Sequence, residues 1–231
     1  MAKEVALVVG AGPGLGMALG RRFAEGGFTV AIASRDRARL DASAGKGIHA
    51  YGCDAGDAAS VAATFDAIAR DHGDPSLVVY NASAMLRGSV LDLDPAEVQR
   101  VWQICCLGAL NVGQQAARRM VTKGRGTILF TGATAALRGG ANFAGFAIGK
   151  FGQRALAQSM ARDLGPKGIH VAHVIVDGLI AAERNQAFQA DHGPDSALDP
   201  AAIAEAYWQL HLQPKSAWTQ ELDLRPWVEK F

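Results

Sequence analysis

VALVVGAGPGLG, at residues 5–16, is a short apolar run that leads directly into four glycines spread over seven positions. The run Val5–Val9 predicts a buried strand, and the helical spacing of apolar residues in Leu15–Glu25 predicts a helix immediately after the glycines. Glycines at such a turn let backbone N–H groups approach a pyrophosphate, and the helix N-terminus adds partial positive charge. We predict a pyrophosphate site made by Gly10, Gly12, Pro13, Gly14, Leu15 and Gly16. The alternative is a turn without a ligand, because this pattern alone has low specificity.

The rest of the chain repeats the order of strand and helix without an obvious linker. Predicted strands cover 28–33, 48–52, 77–80, 127–131 and 169–176, and predicted helices start at Asp36 or cover 58–70, 95–122, 146–164 and 200–212. This alternation predicts an α/β fold, a Rossmann-like doubly wound parallel sheet in a three-layer α/β/α arrangement. We expect a single domain over 1–231, with 180–215 as a substrate-loop or lid region and 216–231 as a C-terminal tail.

Composition and charge argue against several classes of function. A formal net charge of +1 over 231 residues provides no basic surface for nucleic acid. The N-terminal apolar run is shorter than the core of a signal peptide, and no segment reaches membrane-spanning length. The three cysteines, Cys53, Cys105 and Cys106, show no metal-ligand spacing. We expect a cytoplasmic protein that binds no metal, no nucleic acid and no membrane.

The end of the second predicted strand bears on the choice of dinucleotide. NAD sites usually present an acidic side chain there to the ribose 2′-hydroxyl. This chain has Ser34-Arg35, and its first carboxylate follows at Asp36. A guanidinium pairs with a 2′-phosphate and stacks on adenine, although an arginine at the start of a helix is often only solvated. These residues favour NADP(H) over NAD(H).

The glycine spacing and later motifs resemble the short-chain dehydrogenase/reductase family over roughly residues 4–182. The motifs are Cys53-Asp54-Ala55 after strand three, Tyr80-Asn81-Ala82-Ser83 after strand four, Lys150 at the end of the Tyr-x-x-x-Lys pattern, and Asp177-Gly178 in place of a Pro-Gly turn. The resemblance implies that Asp54 binds adenine, that Asn81 and its neighbours line the ribose, and that Lys150 binds the nicotinamide ribose hydroxyls. Cofactor contacts are accordingly expected from Ser34, Arg35, Asp54, Ala55, Asn81, Ala82, Ser83, Lys150, Asp177, Gly178 and Ile180.

The same resemblance carries expectations about partners. It implies a small-molecule substrate and a homodimer or homotetramer formed through the helices at 95–122 and 146–164. The tail, rich in Trp and Leu, replaces the family's final strand only loosely. Large apolar residues so near a terminus suggest that it docks on the domain or on a partner subunit.

The sequence departs from the family where the proton is transferred. The family uses a relay of Ser, Tyr, Lys and Asn, in which the Lys ammonium lowers the Tyr pKa. Here Phe146 stands at the Tyr position, Ala133 at the Ser position, Cys105 at the Asn position, and Ala182 where a Thr often contacts the carboxamide. A shifted alignment does not restore the relay, because there is no Tyr between Tyr80 and Tyr207 and no Ser between Ser89 and Ser159.

Several side chains are candidates for a replacement proton donor. Thr131 and Thr134 flank the Ser position, and Thr134 is the better of the two because Thr131 is expected to end a strand. Cys105 is more simply a buried apolar residue, Asp177 a turn residue, and His173 a structural histidine. Core packing is likewise the simpler interpretation of a group on the last helix, Tyr207, Trp208 and His211.

Two hypotheses follow from the retained and the missing motifs. The first is an NADP(H)-dependent oxidoreductase that acts on a carbonyl, an alcohol or an activated alkene with a non-standard proton source, since hydride transfer depends largely on positioning. The second is a catalytically silent NADP(H)-binding protein that acts as a sensor, a scaffold or a partner subunit. Retention of the glycine loop, Asp54 and Lys150 without Tyr or Ser fits both.

Overall fold

A seven-stranded parallel sheet forms the centre of the protein, seen in a computed structural model that describes residues 3–182 and 186–229. The strand order is β3-β2-β1-β4-β5-β6-β7, with every neighbouring pair parallel. The strands are β1 Val5–Val9, β2 Thr29–Ser34, β3 Ile48–Gly52, β4 Leu77–Tyr80, β5 Gly126–Thr131, β6 Ile169–Val176 and β7 Glu221–Leu224. The order reverses between β1 and β4, and ligands of open parallel sheets bind at that reversal.

Helices cover both faces of the sheet. They are α1 Leu15–Glu25, α2 Arg37–Asp41, α3 Ala58–His72, α4 Pro95–Trp102, α5 Gly108–Val121, α6 Ala144–Leu164, α7 Gln186–His192 and α8 Pro200–Leu212. On one face, Phe23 of α1 and Tyr207 of α8 pack against alternate strand residues such as Ile32. On the other, Phe65 of α3 packs with strand residues such as Phe130. The α/β doubly wound, three-layer fold predicted from the sequence is confirmed.

The predicted helix at 95–122 is in fact two helices joined by a π-helical turn, Gln103–Leu107. The hydroxyl of Tyr80 donates a hydrogen bond to the carbonyl of Ile104 inside this turn. Gly108 allows that approach, since a Cβ there would overlap the Tyr80 hydroxyl. Such turns widen a helix locally and are frequent at functional sites.

The C-terminal tail corrects a second expectation. Instead of replacing a final strand loosely, Glu221–Leu224 pairs with β6 as the seventh strand. Leu222 and Leu224 pack against the core beside α1 and α8, and Arg154 of α6 makes a two-pronged ion pair with Glu221, at 2.7 Å for each prong. The tail therefore docks on its own domain, although Trp227 beyond β7 remains 78% exposed.

The segment 180–215 is only partly a loop. Ile180 and Leu198 form an isolated parallel bridge, with Ser196 and Ala197 buried beside it, and α7 lies between. The second half is α8, which packs on α1 and belongs to the outer layer, as its buried residues Ile203, Tyr207 and Leu210 show. Residues 183–185 lie outside the described residues, and the lid role stays a prediction.

Candidate functional site

A cavity of about 1160 Å³ opens at the carboxyl ends of β1, β4, β5 and β6. Parallel strands present these ends, and the loops that follow them, on one edge of the sheet. The walls come from the glycine loop, the loop after β4, the turn after β5, the start of α6 and the chain after β6. The lining residues are Gly10, Gly12, Pro13, Gly14, Leu15, Gly16, Asn81, Ser83, Met85, Thr131, Gly132, Ala133, Thr134, Ala135, Arg138, Gly140, Phe143, Phe146, Lys150, Val176, Gly178, Ile180, Ala181, Ala182 and Pro200.

The glycine loop has the shape of a pyrophosphate cradle. Its first glycine, Gly10, has φ +88°, and a Cβ there would overlap the backbone of Ala82. At Gly16 a Cβ would lie 2.6 Å from the Cα of Ala11, so the turn is compact. At Gly12 and Gly14, in contrast, a Cβ would meet no heavy atom within 4 Å, and both residues line the cavity. The backbone is thus bare where a phosphate would approach the N-terminus of α1.

Replacing Gly10 by alanine is expected to lower the free energy of unfolding by about 3 kcal/mol or more, since backbone strain and steric overlap add. Gly27 is the matched control because its φ is +92° while a Cβ would meet no atom within 4 Å. Gly27→Ala therefore carries strain alone, about 1 kcal/mol. Urea unfolding followed by circular dichroism measures both variants. Equal losses would show that the approach of Ala82 to Gly10 is unimportant.

A second cavity of about 500 Å³ adjoins the first and shares Gly12 and Pro13 with it. Ser34 and Arg35 line it, as the sequence predicts for a 2′-phosphate site, together with Arg39 and Ser43. Asp36 also lines it, but its carboxylate caps α2 by accepting a hydrogen bond from the backbone N–H of Arg39 at 3.0 Å. Arg39, on α2 and four residues after Arg35, was not among the contacts predicted from the sequence.

The residues predicted to contact the ribose and those predicted to contact adenine differ in whether they line a cavity. Asn81 and Ser83 line the large cavity, and the Asn81 side-chain amide donates to the carbonyl of Gly10 at 3.0 Å. Asp54 and Ala55 follow β3 and line neither cavity. The Asp54 carboxylate accepts a hydrogen bond from the backbone N–H of Gly56 at 3.0 Å. An adenine contact at Asp54 therefore stays a prediction.

Lys150 lies at the base of the large cavity and is 2% exposed. Its Nζ donates to the carbonyl oxygen of Thr131 at 2.7 Å and to Oε1 of Gln153 at 3.2 Å. The ring centroid of Phe146, one helical turn earlier, is 5.9 Å from Nζ. Burial lowers the pKa of the Lys150 ammonium from its ordinary value of 10.5 to about 8. The ammonium is thus anchored to the end of β5, beside the space that a cofactor would fill.

The depressed pKa of Lys150 predicts a pH-dependent stability. Below about pH 8 the lysine is charged in both the folded and the unfolded chain, and desolvation costs about 3 kcal/mol in full. As pH rises from about 8 to 10.5 the folded chain loses this proton first, so the cost is relieved and stability rises. We expect urea unfolding to show this rise for wild type relative to Lys150→Met. Parallel stability curves for the two proteins would contradict it.

Ala133, Phe146 and Cys105 are the residues that the resemblance aligns with the Ser, Tyr and Asn of the family's relay. Ala133 and Phe146 line the cavity. Cys105 is buried in the π-helical turn, in the same apolar cluster as Phe146, and its Sγ lies 3.5 Å from the backbone nitrogen and oxygen of Ala84. The three residues therefore lie in one apolar cluster and present an aliphatic, an aromatic and a thiol side chain.

Thr134 and Asp177 form a hydrogen-bonded pair at the cavity wall. Thr134 lines the cavity, and its hydroxyl donates to the carboxylate of Asp177, which is buried just after β6. The other carboxylate oxygen of Asp177 lies 3.4 Å from a guanidinium nitrogen of Arg225. Residues 134 and 177 are far apart in the sequence, and no local pattern marks the pair.

The remaining proton-donor candidates lie behind the cavity. The Tyr207 hydroxyl is fully buried and donates to Oγ1 of Thr131 at 2.9 Å, and burial raises its pKa. His173 is buried 3.5 Å from Glu221, and burial lowers its pKa to about 4. Trp208 packs against Phe28, and His211 lies 3.0 Å from the hydroxyl of Thr127. The core interpretation of Tyr207, Trp208 and His211 is confirmed.

Within residues 3–182 and 186–229, no helix is long and apolar enough to cross a membrane. Over the same ranges no cluster of three or more histidine, cysteine, aspartate or glutamate side chains is placed to hold a metal ion.

Comparisons with known proteins agree with this architecture. A short-chain dehydrogenase from Rhodopseudomonas palustris has a similar crystal structure, with a TM-score of 0.81, 39% identity, and coverage of 97% of this chain and 99% of that one. The (−)-isopiperitenol/(−)-carveol dehydrogenase of Mentha piperita is 31% identical over 75% of this chain and 69% of its own. The 3-oxoacyl-acyl-carrier-protein reductase MabA of Mycobacterium tuberculosis is 29% identical over 78% of this chain and 71% of its own. A sequence model of the short chain dehydrogenase family matches residues 4–193, most of the chain. The protein therefore belongs to the short chain dehydrogenase family.

Proposed function

We propose that the protein is an NADP(H)-dependent oxidoreductase that acts on a small carbonyl or alcohol compound with a proton relay other than Ser-Tyr-Lys. One observation carries this proposal: two adjoining cavities share Gly12 and Pro13, one lined by Arg35 and the other reaching Lys150. A dinucleotide is long enough to occupy both, with its pyrophosphate at the shared glycine loop.

The residues present fit that cofactor. Gly12 and Gly14 leave bare backbone for the pyrophosphate, and Arg35 with Arg39 supplies two guanidinium groups for a 2′-phosphate. Lys150 and Asn81 are the residues that would hold the nicotinamide ribose at the base of the large cavity. NADP(H), when bound, supplies or accepts the hydride, and this chain's part is to position the substrate and move the proton.

The substrate end of the cavity combines apolar walls with few polar groups. Met85, Phe143 and Phe146 supply apolar surface, and Thr134 supplies a hydroxyl beside the Ser position. A compact organic molecule with one oxygen function fits such a lining, because a few polar groups fix its orientation. Two cationic residues are among the described lining residues: Arg138 is exposed to solvent, whereas Lys150 is buried.

A specific observation also favours the second function, a silent NADP(H)-binding protein. The phenyl ring of Phe146, which the resemblance aligns with the family's tyrosine, is buried with its centroid 5.9 Å from Nζ of Lys150. A phenyl ring exchanges no proton, and loss of a general acid or base costs about 10²–10⁴-fold in rate. A chain that only senses or scaffolds would keep the cradle and lose the relay in this way.

We further propose that the protein forms a homodimer or homotetramer through α4, α5 and α6. Trp102, Ile148 and Phe151 on these helices are exposed, and large apolar side chains at a surface favour burial against a partner. Light scattering after size-exclusion chromatography tests this assembly, and a monomeric mass at micromolar concentration would remove it.

Titration of NADPH and of NADH, followed by fluorescence, tests the cofactor part of the proposal. We expect NADPH to bind more tightly, and tighter binding of NADH would overturn the preference. A panel of ketones, aldehydes and secondary alcohols then tests catalysis. Tight NADPH binding without turnover of any compound would favour the silent binding protein.

A further inference from the structure

Thr134 lines the cavity, and the hydrogen of its hydroxyl group already takes part in a hydrogen bond. The Thr134 O–H donates to the buried carboxylate of Asp177, so the oxygen is left with lone pairs. An oxygen of that kind accepts a hydrogen bond and cannot donate one. The group that fits against it is a donor, such as the hydroxyl of an alcohol, rather than the lone pairs of a carbonyl.

Asp177 is held in place by two contacts outside the cavity and by one to Thr134 at its wall. Its backbone N–H donates to the carbonyl of Leu224 at 2.8 Å, which ties it to the end of β7. One carboxylate oxygen faces Arg225 at 3.4 Å and the other accepts a hydrogen bond from the Thr134 hydroxyl. A carboxylate fixed in this way lies one hydrogen bond from Thr134, which lines the cavity.

We propose that Thr134 and Asp177 form a proton relay that accepts the hydroxyl proton of an alcohol substrate, so that the site is arranged for alcohol oxidation. The inference rests on the proposed function and names its proton acceptor. Thr134 is the catalytic residue because it touches the substrate, and Asp177 is the final proton acceptor behind it.

The transfer balances in atoms and charge. The alcohol O–H bond breaks and its proton passes to Oγ1 of Thr134, while the proton of Thr134 passes to the Asp177 carboxylate. NADP⁺, when bound, would accept the hydride from the alcohol carbon, so that the alcohol becomes a carbonyl compound. On the protein side the transfer leaves a neutral Asp177.

The other buried groups are less suited to this transfer. Tyr207 reaches the cavity only through Thr131, and a deprotonated phenol there would be fully buried. Lys150 already donates to Thr131 and Gln153, which leaves it suited to hold the ribose. His173, a residue of β6, faces Glu221 and α6 and does not line the cavity.

Three variants separate the parts of the relay. Thr134→Val removes the hydroxyl at constant shape, Thr134→Ser retains it, and Asp177→Asn still accepts the Thr134 hydrogen bond but takes no proton. Thr122→Val is the remote control, since its hydroxyl bonds the carbonyl of Arg119 at the end of α5. Each is prepared as the full chain and checked for NADP⁺ affinity, which we expect to stay within about threefold of wild type.

The first readout does not depend on turnover. Fluorine NMR measures binding of trifluoroethanol, an alcohol that resists oxidation, to the NADP⁺ complex. Loss of one hydrogen bond predicts about tenfold weaker binding in Thr134→Val. We expect Thr134→Ser, Asp177→Asn and Thr122→Val to bind within about threefold of wild type.

The second readout is oxidation of secondary alcohols. We expect kcat to fall about 100-fold in Thr134→Val and in Asp177→Asn, with KM almost unchanged in the latter. Wild-type rates in either variant would overturn the relay, as would a wild-type NADP⁺ complex that binds no trifluoroethanol. Absence of NADPH binding would instead overturn the proposed function, and the relay with it.

Discussion

Replacing Arg35 and Arg39 together by alanine is expected to weaken NADPH binding by about 10²–10⁴-fold and to change NADH binding little. Both arginines line the smaller cavity beside Ser34. A hydrogen bond between charged groups contributes about 1.5–3 kcal/mol, and two guanidinium groups on one phosphate double that contribution. NADH has a hydroxyl in place of the phosphate, so the double variant weakens NADH binding only through the lost stacking on adenine.

The control for this prediction lies on the same short helix. Arg37 of α2 pairs with Asp41 at 3.3 Å and does not line the cavity, so Arg37→Ala removes the same charge as either single arginine variant without removing a phosphate contact. We expect this variant to bind NADPH within about threefold of wild type. A loss in Arg37→Ala equal to that in Arg35→Ala or Arg39→Ala alone would show that net charge alone is responsible.

The single variants decide how the two arginines share the phosphate. If both contact it, Arg35→Ala and Arg39→Ala each lose about 10-fold to 100-fold in NADPH affinity. The loss is expected to shrink at high salt, because both guanidinium groups are exposed and screening acts on them. Unchanged NADPH affinity in both single variants would contradict the assignment of the 2′-phosphate site to the smaller cavity.

Local patterns predicted much of the fold. The bounds of β1 and α1 agree with the sequence prediction residue by residue, because an apolar run, four glycines and an amphipathic helix follow one another without ambiguity. The π-helical turn was not predicted, since Gln103–Leu107 has ordinary helical composition and its hydrogen-bond partner Tyr80 lies far away in the sequence. Strand β7 is only four residues long, and its partners β6 and Arg154 are set by the folded chain.

The same distinction applies to the site. Residues next to the glycine loop or within a family motif, such as Asn81 and Lys150, could be placed from the sequence because the strands deliver them to one edge. The bond between Thr134 and Asp177 joins residues 43 positions apart, and neither has a neighbour that signals the other. Asp54 shows the opposite case, a motif residue that the structure places outside both cavities.

A double variant, Phe146→Tyr with Ala133→Ser, is expected to raise the rate of carbonyl reduction by about 10²–10⁴-fold. Both side chains line the cavity, and the Phe146 ring already lies 5.9 Å from Nζ of Lys150. A hydroxyl on that ring gains a neighbouring ammonium, which lowers the pKa of a phenol and lets it supply a proton near neutral pH. The new serine polarises the substrate oxygen at the same time.

Phe143→Tyr is the matched control, since Phe143 lines the same cavity and gains the same hydroxyl. Its ring is stacked under the guanidinium of Arg87, at 4.7 Å, rather than beside Lys150. We expect no rise in kcat for this variant. Steady-state reduction of a ketone panel with NADPH measures all three proteins, and an equal rise in Phe143→Tyr would attribute the effect to polarity alone.

The double variant also tests which relay the wild-type chain uses. In the wild-type background, Thr134→Val is expected to lower the rate of alcohol oxidation about 100-fold. In the Phe146→Tyr, Ala133→Ser background the loss is expected to be less than about tenfold, because a second proton acceptor then works in parallel. Equal losses in the two backgrounds would mean that Thr134 supports the reaction by packing. A smaller loss in the double-variant background would identify proton transfer as the contribution of Thr134. Of the two contributions, proton transfer is the one that a tyrosine in place of Phe146 on α6 could replace.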